Sequence, residues 1–205
     1  MSNREVRVER WPALELASTI RHDGNGGVAD DLATLDDATH WLHQQVDPAD
    51  ITVDEQLRSE LVELRRAIRA LFAHAVSPAP PSRADANRLM PLDQAMTHLN
   101  AAAAREAIVP QLTWPEGGTP RTDVLSTEPD GNVRLIATLA RAAIDFLSGP
   151  HREQLRACNA PRCVRYFVKT HGRQEWCKPS CANRARAARH YQRHNTTATG
   201  ERGRS

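Results

Sequence analysis

The chain has 205 residues, enough for one medium domain and a small module. Apolar residues make up 40% and charged residues 25%, the profile of a soluble globular protein. The opening MSNREVRVERW has no apolar secretory core, and no apolar run approaches the ~18 residues of a membrane helix, so the expected setting is the cytoplasm, without a membrane partner. The net charge of +2 hides a split: residues 151–205 hold 13 Lys/Arg against 3 Asp/Glu, and residues 1–150 hold 14 against 22. A basic end on an acidic body points to a polyanion-binding segment, with a solubilising tail as the plainer alternative.

In chain order, LELASTI (residues 14–20) is a short apolar segment ended by the turn HDGNGG. Thr34 is placed to cap a helix running through Trp41, with Asp36 and Asp37 in its first turn, and Asp47-Pro48 stops it. The clearest helix covers about residues 53–75. Leu57, Leu61, Leu64, Ile68, Leu71 and Phe72 form one apolar stripe there. VSPAPPS breaks the chain. Ser82 is then placed to cap a helix through Leu89, which Pro91 divides from another at residues 92–104. From 105 to 132, short β-tolerant runs around PEGGTP predict a hairpin, weakened by Pro110. Val133, Ile136, Ala140, Ala143, Ile144 and Leu147 predict a second amphipathic helix, ended at Ser148-Gly149-Pro150.

All four cysteines fall within 24 positions, spaced C-x4-C-x13-C-x3-C at Cys158, Cys163, Cys177 and Cys181. In a reducing compartment this pattern suits one metal better than two disulfides. Two close thiolate pairs suit tetrahedral zinc, while four cysteines also admit an iron–sulfur cluster. A shell of four thiolates leaves no open position, so the metal is expected to be structural. The expected local fold is a knuckle, a hairpin returning through residues 174–177, and a helix opened by Pro179 and Ser180 with Cys181 in its first turn. Tyr166, Phe167 and Trp176 are expected to form a small core beside the metal, with base-stacking platforms as the alternative. On the final helix Arg186, Arg189, His190 and Arg193 fall within an arc of about 100°. That arc is directed away from the metal, as a phosphate-binding stripe would be; a solvated helix face is the plainer reading. Arg184 falls on the opposite side and is assigned to packing on Tyr191 or to knuckle carbonyls, and Asn183 to nearby backbone. After His194 the tail is small and polar.

The run Cys158, Pro161, Cys163, Phe167, Trp176, Cys177, Cys181, Asn183, Arg184 resembles the CGNR-type zinc fingers, with Ala182 where the namesake glycine stands. Upstream, Leu14–Thr19, the HDGNGG turn, Asp31-Leu32 and Trp41-Leu42 resemble the ABATE domain that accompanies such fingers. The resemblance covers nearly the whole chain. It implies a bacterial, stress-linked transcription regulator of mainly α fold. Its parts are a helical sensor-type domain at residues 1–150, a treble-clef-like four-cysteine finger at 151–195 and a disordered tail at 196–205. It also implies one structural zinc and DNA as partner. Thr19, Arg21, Asp31 and Trp41, where the resemblance is densest, are the candidate effector-binding residues; core packing for Trp41 and helix capping for Asp31 are the plainer readings. A homodimer is a further candidate partner. An RNA- or protein-docking adaptor is the alternative function. No nucleophile–base set and no phosphate-binding glycine loop is visible, so no enzymatic activity is expected.

Overall fold

The computed structural model describes residues 11–25, 27–45, 50–85 and 89–201, with side chains through Arg193. Among the described residues the body contains five helices: α1 (Pro12–Ala17), α2 (Leu35–Gln45), α3 (Glu55–Ala75), α4 (Leu92–Ala103) and α5 (Gly131–Ser148). Two antiparallel strand pairs interrupt them: β1 (Ile20–His22) with β2 (Val28–Asp30), and β3 (Ile108–Thr113) with β4 (Arg121–Ser126). A 3-10 turn, Pro150–Gln154, leads to β5 (Leu155–Ala157), which pairs with β6 (Tyr166–Val168); α6 (Pro179–Glu201) follows.

The helix starts follow local chemistry. Asp54 accepts from the Leu57 amide at 2.8 Å and caps α3. Asp130 accepts from the amides of Asn132 and Val133 and caps α5. At α2 the capping is reciprocal: the Asp37 amide donates to the Thr34 hydroxyl, and the Thr34 amide donates back to the Asp37 carboxylate. Each such cap supplies an acceptor for amides that the helix itself leaves unpaired.

The predicted stripe of α3 is buried in full, and with α1, α2, α4 and α5 it forms the main core. Phe72 lies at its centre, 5.4 Å from the Phe146 ring and 5.6 Å from the Tyr166 ring. One expectation changes here. The segment after the proline-rich break forms a turn at Ser82–Asp85 in place of the start of the expected helix, and residues 86–88 of that expected helix lie outside the described residues. Ser82 is buried instead, because its hydroxyl is needed by the Val164 carbonyl at 2.8 Å. The predicted hairpin does form, with Pro110 inside β3 opposite Val124. Both strands are solvent-facing, so a lost ladder donor there is tolerated.

The sequence reading divides body from finger near residue 150, yet they share one core. Along β6 the side chains alternate: Tyr166 and Val168 enter the body's core, while Phe167 packs beside the cysteines. Leu155 and Ala157 of β5 also join the body.

The metal centre, its joint to the body, and the basic helix

The knuckle between Cys158 and Cys163 is closed by the Cys163 amide donating to the Ala160 carbonyl at 3.0 Å. Pro161 and Arg162 are the central residues of this turn, and Arg162 has φ +64°. A proline followed by a left-handed residue is the requirement of a type II turn, here met by arginine in place of the usual glycine. The second pair sits at the start of α6. Helix formation begins at Pro179, one residue before the expected cap Ser180. A proline in first position loses no helical hydrogen bond, and the amides of Cys181 and Ala182 donate to Lys178 O. Cys181 therefore lies in the first turn, as expected.

The four sulfurs lie within 4.8 Å of one another, with Cys163–Cys177 at 3.7 Å and Cys177–Cys181 at 3.5 Å. Tetrahedral Zn–S bonds of about 2.3 Å would put sulfurs about 3.8 Å apart, so the constellation has the right size. Its acid–base chemistry is that of a cluster that keeps protons until a cation replaces them. Hydrogen bonds from Cys158 and Cys177 hold the Cys163 thiol far below its ordinary range. Hydrogen bonds to Cys158 and Cys163, with burial, push Cys177 far up, and burial first of all pushes Cys181 up to about 11. Four thiolates this close repel one another unless a divalent ion neutralises them. Arg184 adds a further positive charge: its guanidinium donates to Cys181 Sγ at 3.2 Å. This is the structural role expected of Arg184, but its partner is a ligand sulfur; Tyr191 is 70% exposed and packs on no core.

The hairpin of the finger differs from expectation. β6 pairs with β5, upstream of the knuckle, and residues 174–177 form no strand. The ladder continues through Cys158 N to Arg165 O at 2.9 Å and Lys169 N to Gln154 O at 2.8 Å. Pairing with β5 buries Leu155 and Ala157, a gain that the polar stretch after His171 lacks. Phe167 and Trp176 flank the cysteines as predicted. Tyr166 does not: it is 2% exposed and belongs to the body.

Tyr166 is one member of a buried polar joint whose partners lie far apart in the sequence. The Arg69 guanidinium of α3 donates to both carboxylate oxygens of Asp85, to Ser82 Oγ, to Ala17 O and to Val164 O. The Tyr166 hydroxyl donates to Asp85 at 2.8 Å and accepts from the Ser82 amide. Burial, then the Asp85 charge, hold that phenol well above its ordinary pKa, so it stays a donor. One turn earlier, Arg65 pairs with Asp30 and donates to Thr19 Oγ1 at 2.9 Å. Burial alone would raise the Asp30 pKa; the hydrogen bonds and charge of Arg65 outweigh it, and the carboxyl lies below its usual range. The signal was present in the sequence. Measured from Ile68, Arg65 and Arg69 fall at about 60° and 100°, inside or beside the arc that holds Leu61 and Phe72. An arginine inside an apolar arc requires a buried carboxylate.

The predicted effector residues separate. Arg21, Asp31 and Trp41 come together in a depression of about 320 Å³ that also includes Asp37, His40 and Gln44. Arg21 Nε donates to Asp31 at 2.7 Å, so Asp31 serves an ion pair and caps no helix. Thr19 is not among them. It is 1% exposed and fully engaged by Leu16 O and Arg65. Trp41 is 7% exposed and mainly core.

On α6 the residues Arg186, Arg189, His190 and Arg193, with Ala187 and Gln192, line one open concavity of about 730 Å³. The stripe is not uniform. Arg189 lies at its edge, where its guanidinium sits 5.9 Å from the Trp176 ring and Nε donates to Ala185 O. Arg186 donates to Asn183 Oδ1, so Asn183 serves a side chain and not backbone. α6 continues to Glu201, beyond the expected limit near His194, and residues 202–205 of the expected tail lie outside the described residues.

No helix among the described residues is long and apolar enough to cross a membrane. No curated protein matches the chain. Two family comparisons do. Residues 154–194 match the CGNR zinc finger, in agreement with the sulfur geometry, and the centre is read as one structural zinc held by Cys158, Cys163, Cys177 and Cys181. Residues 11–150 match the ABATE family, whose description is "putative stress-induced transcription regulator". With that match spanning most of its length, the chain belongs to the ABATE family, its domain joined to a C-terminal CGNR zinc finger.

Proposed function

We propose that this protein is a cytoplasmic, DNA-binding transcription regulator, without enzymatic activity, whose zinc finger lays the exposed face of α6 against the phosphate backbone. The observation that carries the reading is the gathering of Arg186, Arg189, His190 and Arg193 on one open face of a helix fixed at its start by a metal ligand. Guanidinium groups spaced along a helix face suit backbone phosphates or a groove edge. The regional charge split and the family's description support the same reading. The depression at Arg21, Asp31 and Trp41 is the candidate effector site of the body.

The test is a fluorescence-anisotropy titration of the zinc-loaded protein on duplex DNA at several salt concentrations. The expected log–log salt slope is a few units, and it should fall by about one for each α6 arginine replaced by alanine. Absence of binding at low salt contradicts the reading. Binding to single-stranded RNA in preference to duplex DNA would favour the adaptor alternative.

A further inference from the structure

Among the described residues Arg162 is the only one other than glycine with a positive φ, at +64°. It is the third residue of the type II turn in the knuckle, a position that favours glycine because a Cβ crowds the backbone there. An L side chain in that conformation is strained, and the strain persists only where the surroundings fix the backbone. Here they do. Pro161 presets its own φ, the Cys163 amide closes the turn on the Ala160 carbonyl at 3.0 Å, and Ala160 and Cys163 are both buried. Arg162 stands at the exposed apex.

The fold makes no use of its side chain. Arg156 donates to the carbonyls of Glu153 and Leu155, Arg184 to Cys181 Sγ and Arg186 to Asn183 Oδ1. Arg162 makes no hydrogen bond or ion pair among the described residues. Glycine would satisfy the turn with less strain and leave the four cysteines as they are. No contact among the described residues accounts for a guanidinium at that apex.

Its setting indicates the partner. From residue 154 to residue 174 the chain carries Arg156, Arg162, Arg165, Lys169 and Arg173 and no acidic residue. The next residue, Cys163, has its sulfur within 4.8 Å of Cys181 Sγ, and Cys181 lies in the first turn of α6. A metal held by these cysteines fixes the knuckle apex and the start of the basic helix to one centre. Two cationic elements on one rigid anchor suit a partner whose charges repeat at fixed spacing, as the phosphates of a duplex do.

We propose that Arg162 is a phosphate-contacting residue of the DNA interface, presented by the knuckle in addition to the α6 arginines. The inference rests on the DNA-binding reading and extends the interface beyond α6. The turn holds the Arg162 backbone in place before DNA arrives, so the contact has only one side chain to order. Strain in the knuckle and affinity for phosphate are then two properties of one residue, and substitutions separate them.

The zinc-loaded full-length protein is titrated by fluorescence anisotropy on a random-sequence duplex over a range of salt, and its thermal midpoint and zinc content are measured alongside. Arg162→Gly removes both the charge and the strain. It should weaken binding by roughly tenfold at about 100 mM salt and lower the log–log salt slope by about one, while the thermal midpoint holds or rises. Arg162→Ala removes the charge and keeps the strain, so binding should fall as far without any gain in midpoint. Arg162→Lys keeps the charge and should retain most of the slope. Duplex affinity and salt slope unchanged in Arg162→Gly, with the unaltered protein binding, overturns the inference and leaves α6 as the interface. So does a loss of binding in Arg162→Gly that accompanies loss of zinc or a lower midpoint, which would make the residue structural. An unaltered protein that binds no duplex at low salt removes the DNA reading, and this inference with it.

Discussion

Helices α3 and α6 both carry arginines at helical spacing, and the protein uses them in opposite ways. Arg65 and Arg69 of α3 are 3% and 2% exposed, each clamped on a carboxylate in an apolar surround. Arg186, Arg189 and Arg193 of α6 lie in solvent around an open concavity. The residue type is the same; burial decides the role. A buried guanidinium is costly unless every donor finds an acceptor, and once satisfied it fixes its neighbours. Arg69 meets that condition by reaching Ala17, Ser82 and Asp85 in the body and Val164 in the finger. An exposed guanidinium costs little and remains near water and any polyanion. The difference teaches that the finger is an extension of the body's core, while the arginines of its outer helix stay in water.

The metal sets the upper end of the scale. Cys181→Ser should abolish stoichiometric zinc binding and unfold the finger, since structural zinc supplies on the order of 10 kcal/mol or more to modules this small; metal analysis and circular dichroism read the outcome. If the joint is continuous, the loss must spread to the body, and Tyr166 and Val168 should lose protection in amide exchange. Next comes Arg69→Met. It leaves the buried Asp85 carboxylate without its guanidinium partner, a defect of about 3–5 kcal/mol, measurable as a fall in denaturation midpoint. Arg69→Met with Asp85→Leu should recover much of that loss, because the stranded carboxylate is gone.

A smaller effect is expected at Arg65, and its sign follows from Asp30. The folded-state pKa of Asp30 lies below the ordinary value of 3.8. Its stabilising contribution is therefore present above that value and is lost as pH falls through the folded pKa. Arg65→Met should lower stability at neutral pH and flatten the acid limb below about pH 4, as read from urea midpoints against pH. A limb as steep as that of the unaltered protein would assign the effect elsewhere. At the bottom of the scale, Arg186→Ala with Arg193→Ala should leave the melting temperature unchanged while reducing the salt slope of DNA binding. A large loss of stability there would erase the contrast between the two helices.

Much of the molecule is legible in its sequence, for reasons specific to each part. The cysteine spacing determines a metal because thiolates at those separations can share one small ion, and no long-range packing enters. The stripe of α3 is local, and it holds. What escapes is non-local. Asp85 meets Arg69 across 16 residues and Val164 meets it across 95, so neither partner is visible in a window of sequence. The sequence neighbours of Tyr166 place it at the metal's side; alternation along β6 sends it to the other. Ser82 reads as a helix cap because serine caps helices, and here the same hydroxyl serves the joint. The candidate effector set loses Thr19 for a related reason: its hydroxyl is spent on Leu16 and Arg65.

The central structural claim is that finger and body fold as one unit around Arg69, Asp85 and Tyr166. Differential scanning calorimetry of the zinc-loaded protein tests it directly, followed by the same scan after chelation. The account predicts one transition whose calorimetric and van't Hoff enthalpies agree, and a body that melts at lower temperature once zinc is removed. Two separate transitions, with the body's melting temperature unmoved by chelation, would contradict it.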